Sequence, residues 1–249
     1  MRPKEQEQAI LATLARLPRE GLVLIGGYAV NVYVPPRFSI DCDLVVLGKV
    51  ASVRAKLETD GFLEQAEGEV PYGSYLRMVH PTQGASFDLM VGSVLDRQSG
   101  IHFDRGYFER YAHRRTIVGR VSMDRVRMKV VDPELLFALK FVVGRRQDLR
   151  DLFMLGGTDL GWSLIEKILR ERCSPSLLHA TIAQLRWGVE APAFRNSLQG
   201  SFGKLPDSQF ERCSAGLLGG LGSLEEQIPA STQDQAPSAK GPRARMRMS

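Results

Sequence analysis

Cysteine and histidine are scarce in this chain, and the few present are scattered. Cys42, Cys173 and Cys213 are three widely separated thiols in 249 residues. An odd, dispersed set excludes a disulfide framework and a cysteine-built zinc site, and suits reduced thiols in a cytoplasmic protein. His80, His102, His113 and His179 show no ligand spacing and read as surface or packing residues. No apolar run approaches the roughly 20 residues that a membrane helix needs. The N-terminal stretch MRPKEQEQAILATLARL is helical and charged, and lacks the apolar core and cleavage site of a signal peptide. No internal repeat is visible.

The remaining composition is that of a globular protein, 43% hydrophobic and 24% charged. The net charge is +5, but Lys240, Arg243, Arg245 and Arg247 supply four of those charges in an acid-free end. Residues 105–129 hold eight basic residues against Glu109 and Asp124. That local excess reads as a solvated face or as a field favouring phosphate-rich partners.

One stretch organises the rest: LVLIGGYAVNVYVPPRFSIDCDLVV, residues 22–46. Leu22 to Ile25 has strand character. Gly26 and Gly27 follow, then a helical turn or two that Pro35 and Pro36 end. A second strand begins near Ile40 and carries Asp41 and Asp43. Side chains alternate along a strand, so carboxylates two residues apart share a face. Their repulsion is relieved by a cation, and hard oxygen ligands suit Mg²⁺. Glycines after a strand let backbone approach a phosphate. Taken alone, Gly-Gly reads equally as a tight turn, and Asp-x-Asp as two surface acids.

Together these residues resemble the signature of the polymerase beta-like nucleotidyltransferase superfamily, a Gly-Gly or Gly-Ser turn followed by Asp-x-Asp. Arg37-Phe38-Ser39-Ile40-Asp41-Cys42-Asp43 is similar to the Arg-x-Ser/Thr-x-Asp-x-Asp run of AbiEii-type nucleotidyltransferases, many of them toxins. The resemblance implies transfer of a nucleoside monophosphate from a nucleoside triphosphate to a hydroxyl. It implies Asp41 and Asp43 as Mg²⁺ ligands, and Gly26, Gly27 and Ser39 as phosphate holders. RNA, particularly tRNA, or protein would be the acceptor, and a cognate antitoxin a partner. A catalytically silent nucleotide or RNA binder, and a small-molecule (aminoglycoside-like) transferase, stand as alternatives.

Further along, periodicity predicts helices over 4–17 and 49–59 and strands over 61–66 and 75–80, with a polar turn at Glu67-Gly68-Glu69. Ser86 to Val91 reads as a strand with Asp88 inside an apolar run. A buried carboxylate needs a cation or a hydrogen-bond network. By the resemblance Asp88 is the third carboxylate, acting as general base or shared metal ligand. Residues 92–114 read as loop and short helix, and 114–118 with 126–130 as a hairpin. The aromatic residues of 92–114, Phe103, Tyr107, Phe108 and Tyr111, read as core and rim, or as platforms for bases beside the arginines.

Asp132-Pro133-Glu134 opens a helix over 133–144 with Asp132 as cap, and a second helix follows over about 147–155. By resemblance to the remaining AbiEii-type motifs, Lys140 neutralises a triphosphate oxygen and Arg145 assists in binding. Asp148 completes the site or orients Lys140, and Asp151 is structural. An amphipathic helical hairpin is the plainer reading of the same spacing. Helices are expected at 162–172 and 175–187, with Ser174-Pro175 as cap. Beyond Gly188 the glycines read as breakers, leaving a short helix at 207–213.

The expected fold is α/β (α+β): a small mixed sheet flanked by helices in a catalytic domain, residues 1–131. A helical C-terminal domain over 132–222 and a disordered basic tail over 223–249 follow.

Overall fold

The computed structural model describes residues 3–70 and 73–229. It places one mixed sheet among helices, the α/β class expected from the sequence. Helix α1 (Pro3–Arg16) buries Ile10, Leu11 and Leu14 and packs on the sheet. Strand β1 (Leu22–Leu24) is short and wholly buried, as a central strand must be. Helix α2 (Gly26–Val30) leads by way of Arg37 to β2 (Asp41–Val46). Then come α3 (Val50–Thr59), β3 (Leu63–Val70), β4 (Gly73–Val79) and β5 (Ser86–Val91). A small hairpin, β6 (Val94–Leu95) and β7 (His102–Phe103), precedes α4 (Arg105–Arg110). Strands β8 (Ala112–Val118) and β9 (Arg125–Val131) finish the sheet.

The strand order is β3-β4-β5-β2-β1-β9-β8. Strand β2 runs antiparallel to β1 and parallel to β5, so Asp43 stands directly beside Asp88. The four-residue turn Pro81–Gly84 closes a hairpin through His80 N–H to Ala85 O, at 2.8 Å. That turn fixes the β4–β5 register and sets Arg77 opposite Asp88. At Glu67 the chain continues as β3 rather than turning, because each residue there has a partner on β4.

Helices α5 (Pro133–Val143) and α6 (Arg146–Gly156) form the expected pair. Asp132 occupies the N-cap position of α5, yet its carboxylate caps nothing and instead meets His113 Nδ1 at 2.7 Å. Helices α7 (Trp162–Arg172) and α8 (Pro175–Glu190) follow, and Ser174 does cap α8 by accepting from Leu177 N–H. Helices α9 (Phe194–Phe202) and α10 (Asp207–Glu226) complete the described chain.

Helix α10 overturns the expectation that glycines break the C-terminal stretch. It runs unbroken through Gly216, Gly219, Gly220 and Gly222, past the expected boundary at residue 222. The cost of a mid-helix glycine is about 1 kcal/mol, and close packing exceeds it here. A Cβ on Gly216 would lie 1.9 Å from the Gly156 carbonyl oxygen, and one on Gly220 would enter the Trp162 ring. Gly216 and Gly220 let α10 cross directly over α6 and α7, while Gly219 has open space beside it. Of the expected tail, residues 230–249 lie outside the described residues.

Candidate active site

The site lies in a cavity of about 660 Å³ where β2, β4 and β5 face α5 and α6. Strand alternation turns Cys42 and Leu44 into the core and leaves Asp41 and Asp43 facing the cavity. Cys42 is fully buried, and burial with three nearby carboxylates pushes its thiol well up, so it is no nucleophile.

The Gly-Gly turn wraps the carboxylates. Ile25 N–H donates to the Asp43 carbonyl at 3.0 Å. Gly26 has φ +66°, and a Cβ there would lie 1.8 Å from Asp43 Oδ2. A Cβ on Gly27 would meet Ser39 Oγ at 2.4 Å. Only glycine permits this approach at both positions. Ser39 Oγ in turn donates to Asp41 Oδ1 at 3.3 Å.

Asp43 is the most perturbed acid in the cavity. Removal from bulk water, then the charges of Asp41 and Asp88, push its carboxyl up to about 7, against the pull of Lys140. A folded-state pKa above the ordinary carboxylate value makes the proton-bound form the stable one. Stability is therefore full at low pH and falls as pH rises from about 4 through about 7. In EDTA, the metal-free protein should lose on the order of 2 kcal/mol across that window, the carboxylate's opening onto cleft water tempering the effect. Melting curves from pH 4.5 to 7.5 check this, and Asp43→Asn should flatten the slope. An equal slope in the variant would refute the assignment.

Asp88 is also buried, and its partners come from the sheet. Tyr75 Oη donates to its Oδ1 at 2.6 Å, and Arg77 Nη1 donates to Oδ1 and Oδ2 at 3.0 and 2.9 Å. Burial pushes its carboxyl up, and Tyr75 and Arg77 pull it part of the way back. The sequence called for a cation or a network at Asp88, and Arg77 with Tyr75 supplies both.

Across the cavity, Lys140 is 7% exposed and donates to Asp148 Oδ1 at 2.8 Å. It also pairs with Asp151 Oδ2 at 2.7 Å. Burial opposes its charge, but Asp151 and Asp148 outweigh burial and raise its pKa. Asp151, with no exposed surface, is also gripped by Arg37 through Nε at 2.7 Å and Nη2 at 2.6 Å. Burial alone would raise the Asp151 carboxyl; Arg37 and Lys140 hold it below the usual range. Arg145 lines the cavity's rim, and its backbone N–H donates to Asp148 Oδ2 at 3.2 Å.

The structure thus gathers Gly26, Gly27, Ser39, Asp41, Asp43, Asp88, Lys140, Arg145 and Asp148 around one cavity. Sequence reasoning gave no role to Arg37, Tyr75 and Arg77. For Arg77 the signal was present: counting back from the Pro81–Gly84 turn puts it across from Asp88.

Asp41 and Asp43 offer the hard oxygen pair that Mg²⁺ takes, with phosphate and water oxygens completing its shell. The charge crowding at Asp43 is what a bound cation would relieve. A ready-made set of three is not what the structure presents, because Asp88 already faces Arg77. Among the described residues no three His, Cys, Asp or Glu side chains are grouped to hold an ion.

The chain resembles, at 14% identity, a crystal structure of a candidate nucleotidyltransferase from H. pylori, with 91% of this chain and 94% of that one covered and a TM-score of 0.44. It also matches a STING-associated CdnE c-di-GMP synthase from Capnocytophaga granulosa at 10% identity, covering 90% and 79% of the two chains with a TM-score of 0.23. Among curated proteins none matches. The family model for the nucleotidyl transferase AbiEii toxin of type IV toxin–antitoxin systems matches residues 9–223, from α1 to α10. The chain therefore belongs to the AbiEii nucleotidyltransferase family, and its chemistry is nucleotidyl transfer.

Proposed function

We propose that this enzyme transfers a nucleoside monophosphate from a nucleoside triphosphate to a hydroxyl of an RNA acceptor, with Mg²⁺ held by Asp41 and Asp43, and that it acts as a toxin. The observation that carries the reading is the pair Asp41 and Asp43, set beside Asp88 and under the Gly26-Gly27 turn. A cation bound there would offset phosphate charge and polarise the α-phosphate. The chain's own residues do the rest. Gly26 and Gly27 let Asp43 and Ser39 close on the turn, whose backbone faces the cavity that would take the phosphate, with Ser39 and Arg145 on the same lining. Lys140, fixed by Asp148 and Asp151, adds positive potential without having to move. The acceptor oxygen bonds to the α-phosphorus while the α–β bridging P–O bond breaks. Pyrophosphate leaves, and Asp88 takes the hydroxyl proton. No helix among the described residues is long and apolar enough to cross a membrane.

RNA is favoured over a small acceptor by the exposed arginines of the β8–β9 hairpin. Arg114, Arg115, Arg125 and Arg127 all face solvent, a field suited to a polyphosphate backbone. The test is a screen of total RNA with each of four α-³²P-labelled ribonucleoside triphosphates. Label should enter RNA for at least one triphosphate and vanish in EDTA. Label that enters only protein, or only small molecules, would overturn the choice of acceptor.

A further inference from the structure

Arg77 differs from the two buried cations that wall the cavity, and unlike the exposed Arg97 and Arg145 it rests on one of the cavity's acids. Arg37 and Lys140 are 3% and 9% exposed at the side chain and are fixed by buried acids. Arg77 is 33% exposed at the side chain and lies on the opposite wall. Its Nε donates to Gln65 Oε1 at 3.1 Å and its Nη2 to Ser86 Oγ at 3.4 Å, while Nη1 alone holds both oxygens of Asp88. A guanidinium fork that fits a carboxylate fits a phosphate equally well. Asp88 would not be left bare by its departure, because Tyr75 Oη still donates to it. Asp88 also neighbours Asp43 strand to strand, so the position that Arg77 neutralises is one that a divalent cation would share.

We propose that Arg77 is a positioning residue with two anionic partners, Asp88 in the nucleotide-free protein and the triphosphate in the loaded one. The inference rests on the proposed cation site at Asp41 and Asp43. While Arg77 holds Asp88, it competes with a divalent ion for that carboxylate. An incoming triphosphate carries more charge than one carboxylate and draws the guanidinium off. Asp88 is then free to join the cation or to take the acceptor's proton. Substrate arrival and completion of the acidic cluster become one event, and an ion is not held tightly before there is a nucleotide to use it.

The test measures binding with the full chain and needs no turnover. Mn²⁺ binding is followed by electron paramagnetic resonance without nucleotide, and binding of each ribonucleoside triphosphate is followed separately in EDTA. Removing the competing charge in Arg77→Gln should tighten Mn²⁺ binding about tenfold and weaken triphosphate binding by about as much. Arg77→Lys keeps the charge without the fork, and should shift both affinities in the same directions by less. A merely structural arginine would move both affinities the same way. If Mn²⁺ binds the double variant Asp41→Asn/Asp43→Asn as it binds the unmodified chain, the cation site itself is wrong. If that variant loses Mn²⁺ while neither Arg77 variant gains it, the cation site stands and the two-partner role of Arg77 is refuted.

Discussion

Replacing Asp43 by asparagine should lower nucleotidyl transfer by about a thousandfold or more, the scale of losing several kcal/mol of charge stabilisation at the reacting phosphate. At neutral pH the same change should leave the melting temperature unchanged or raise it. The two effects share one cause. The Asp43 carboxyl is pushed up to about 7 by its surroundings, so its ionised form is held at a cost to the metal-free fold. Asparagine keeps the shape and drops the charge. Activity and stability then move in opposite directions, which separates a functional carboxylate from a structural one. Label transfer from a radioactive triphosphate, beside calorimetry, reads both. Transfer within tenfold of the unmodified enzyme would end the role given to Asp43. Asp41→Asn should show the same loss of transfer.

The second large effect is on stability. Asp151→Ala should destabilise the fold by roughly 3–5 kcal/mol, because it strips the counter-charge from buried Arg37 and one of the two acids from buried Lys140. Arg37 is 3% exposed, commits its Nε–Nη2 edge to Asp151 and donates from Nη1 to the Phe38 carbonyl at 3.0 Å. Lys140 keeps only Asp148. Replacing the charges in matched fashion, Arg37→Met with Asp151→Leu, should recover much of the loss, since a buried pair is costly chiefly when half of it is gone. Chemical denaturation of the single and double variants checks this. A loss below about 1 kcal/mol for Asp151→Ala would show that the cluster is wet and loosely held.

Much of this was legible in the chain. Strand periodicity around 22–46 and 86–91 gave the elements that hold the acids. A two-residue spacing was enough to put Asp41 and Asp43 on one face. The capped pattern after Asp132 located the helix of Lys140. Two kinds of information were not legible by the same means. Pairings across long stretches, such as Arg37 with Asp151, leave no local periodic trace, so Arg37 appeared only as a motif letter. Glycine in α10 was misjudged because propensity is local, whereas its reason, contact with Gly156 and Trp162, comes from helices more than fifty residues earlier. Arg77 lies between these cases. Its strand and the turn after it are both plain in the sequence, and its pairing with Asp88 follows once the register is carried across that turn.

The link between Arg37 and Asp151 spans 114 residues. During synthesis the catalytic strand leaves the ribosome long before the acids that balance its arginine. At about 5–20 residues per second, several seconds separate the two ends. A nascent or truncated chain that stops short of α6 holds the aspartate pair but neither Lys140's anchors nor Arg37's partner. The fold thus carries a built-in delay: the chain must be made through residue 156 of 249 before the cavity's second wall exists.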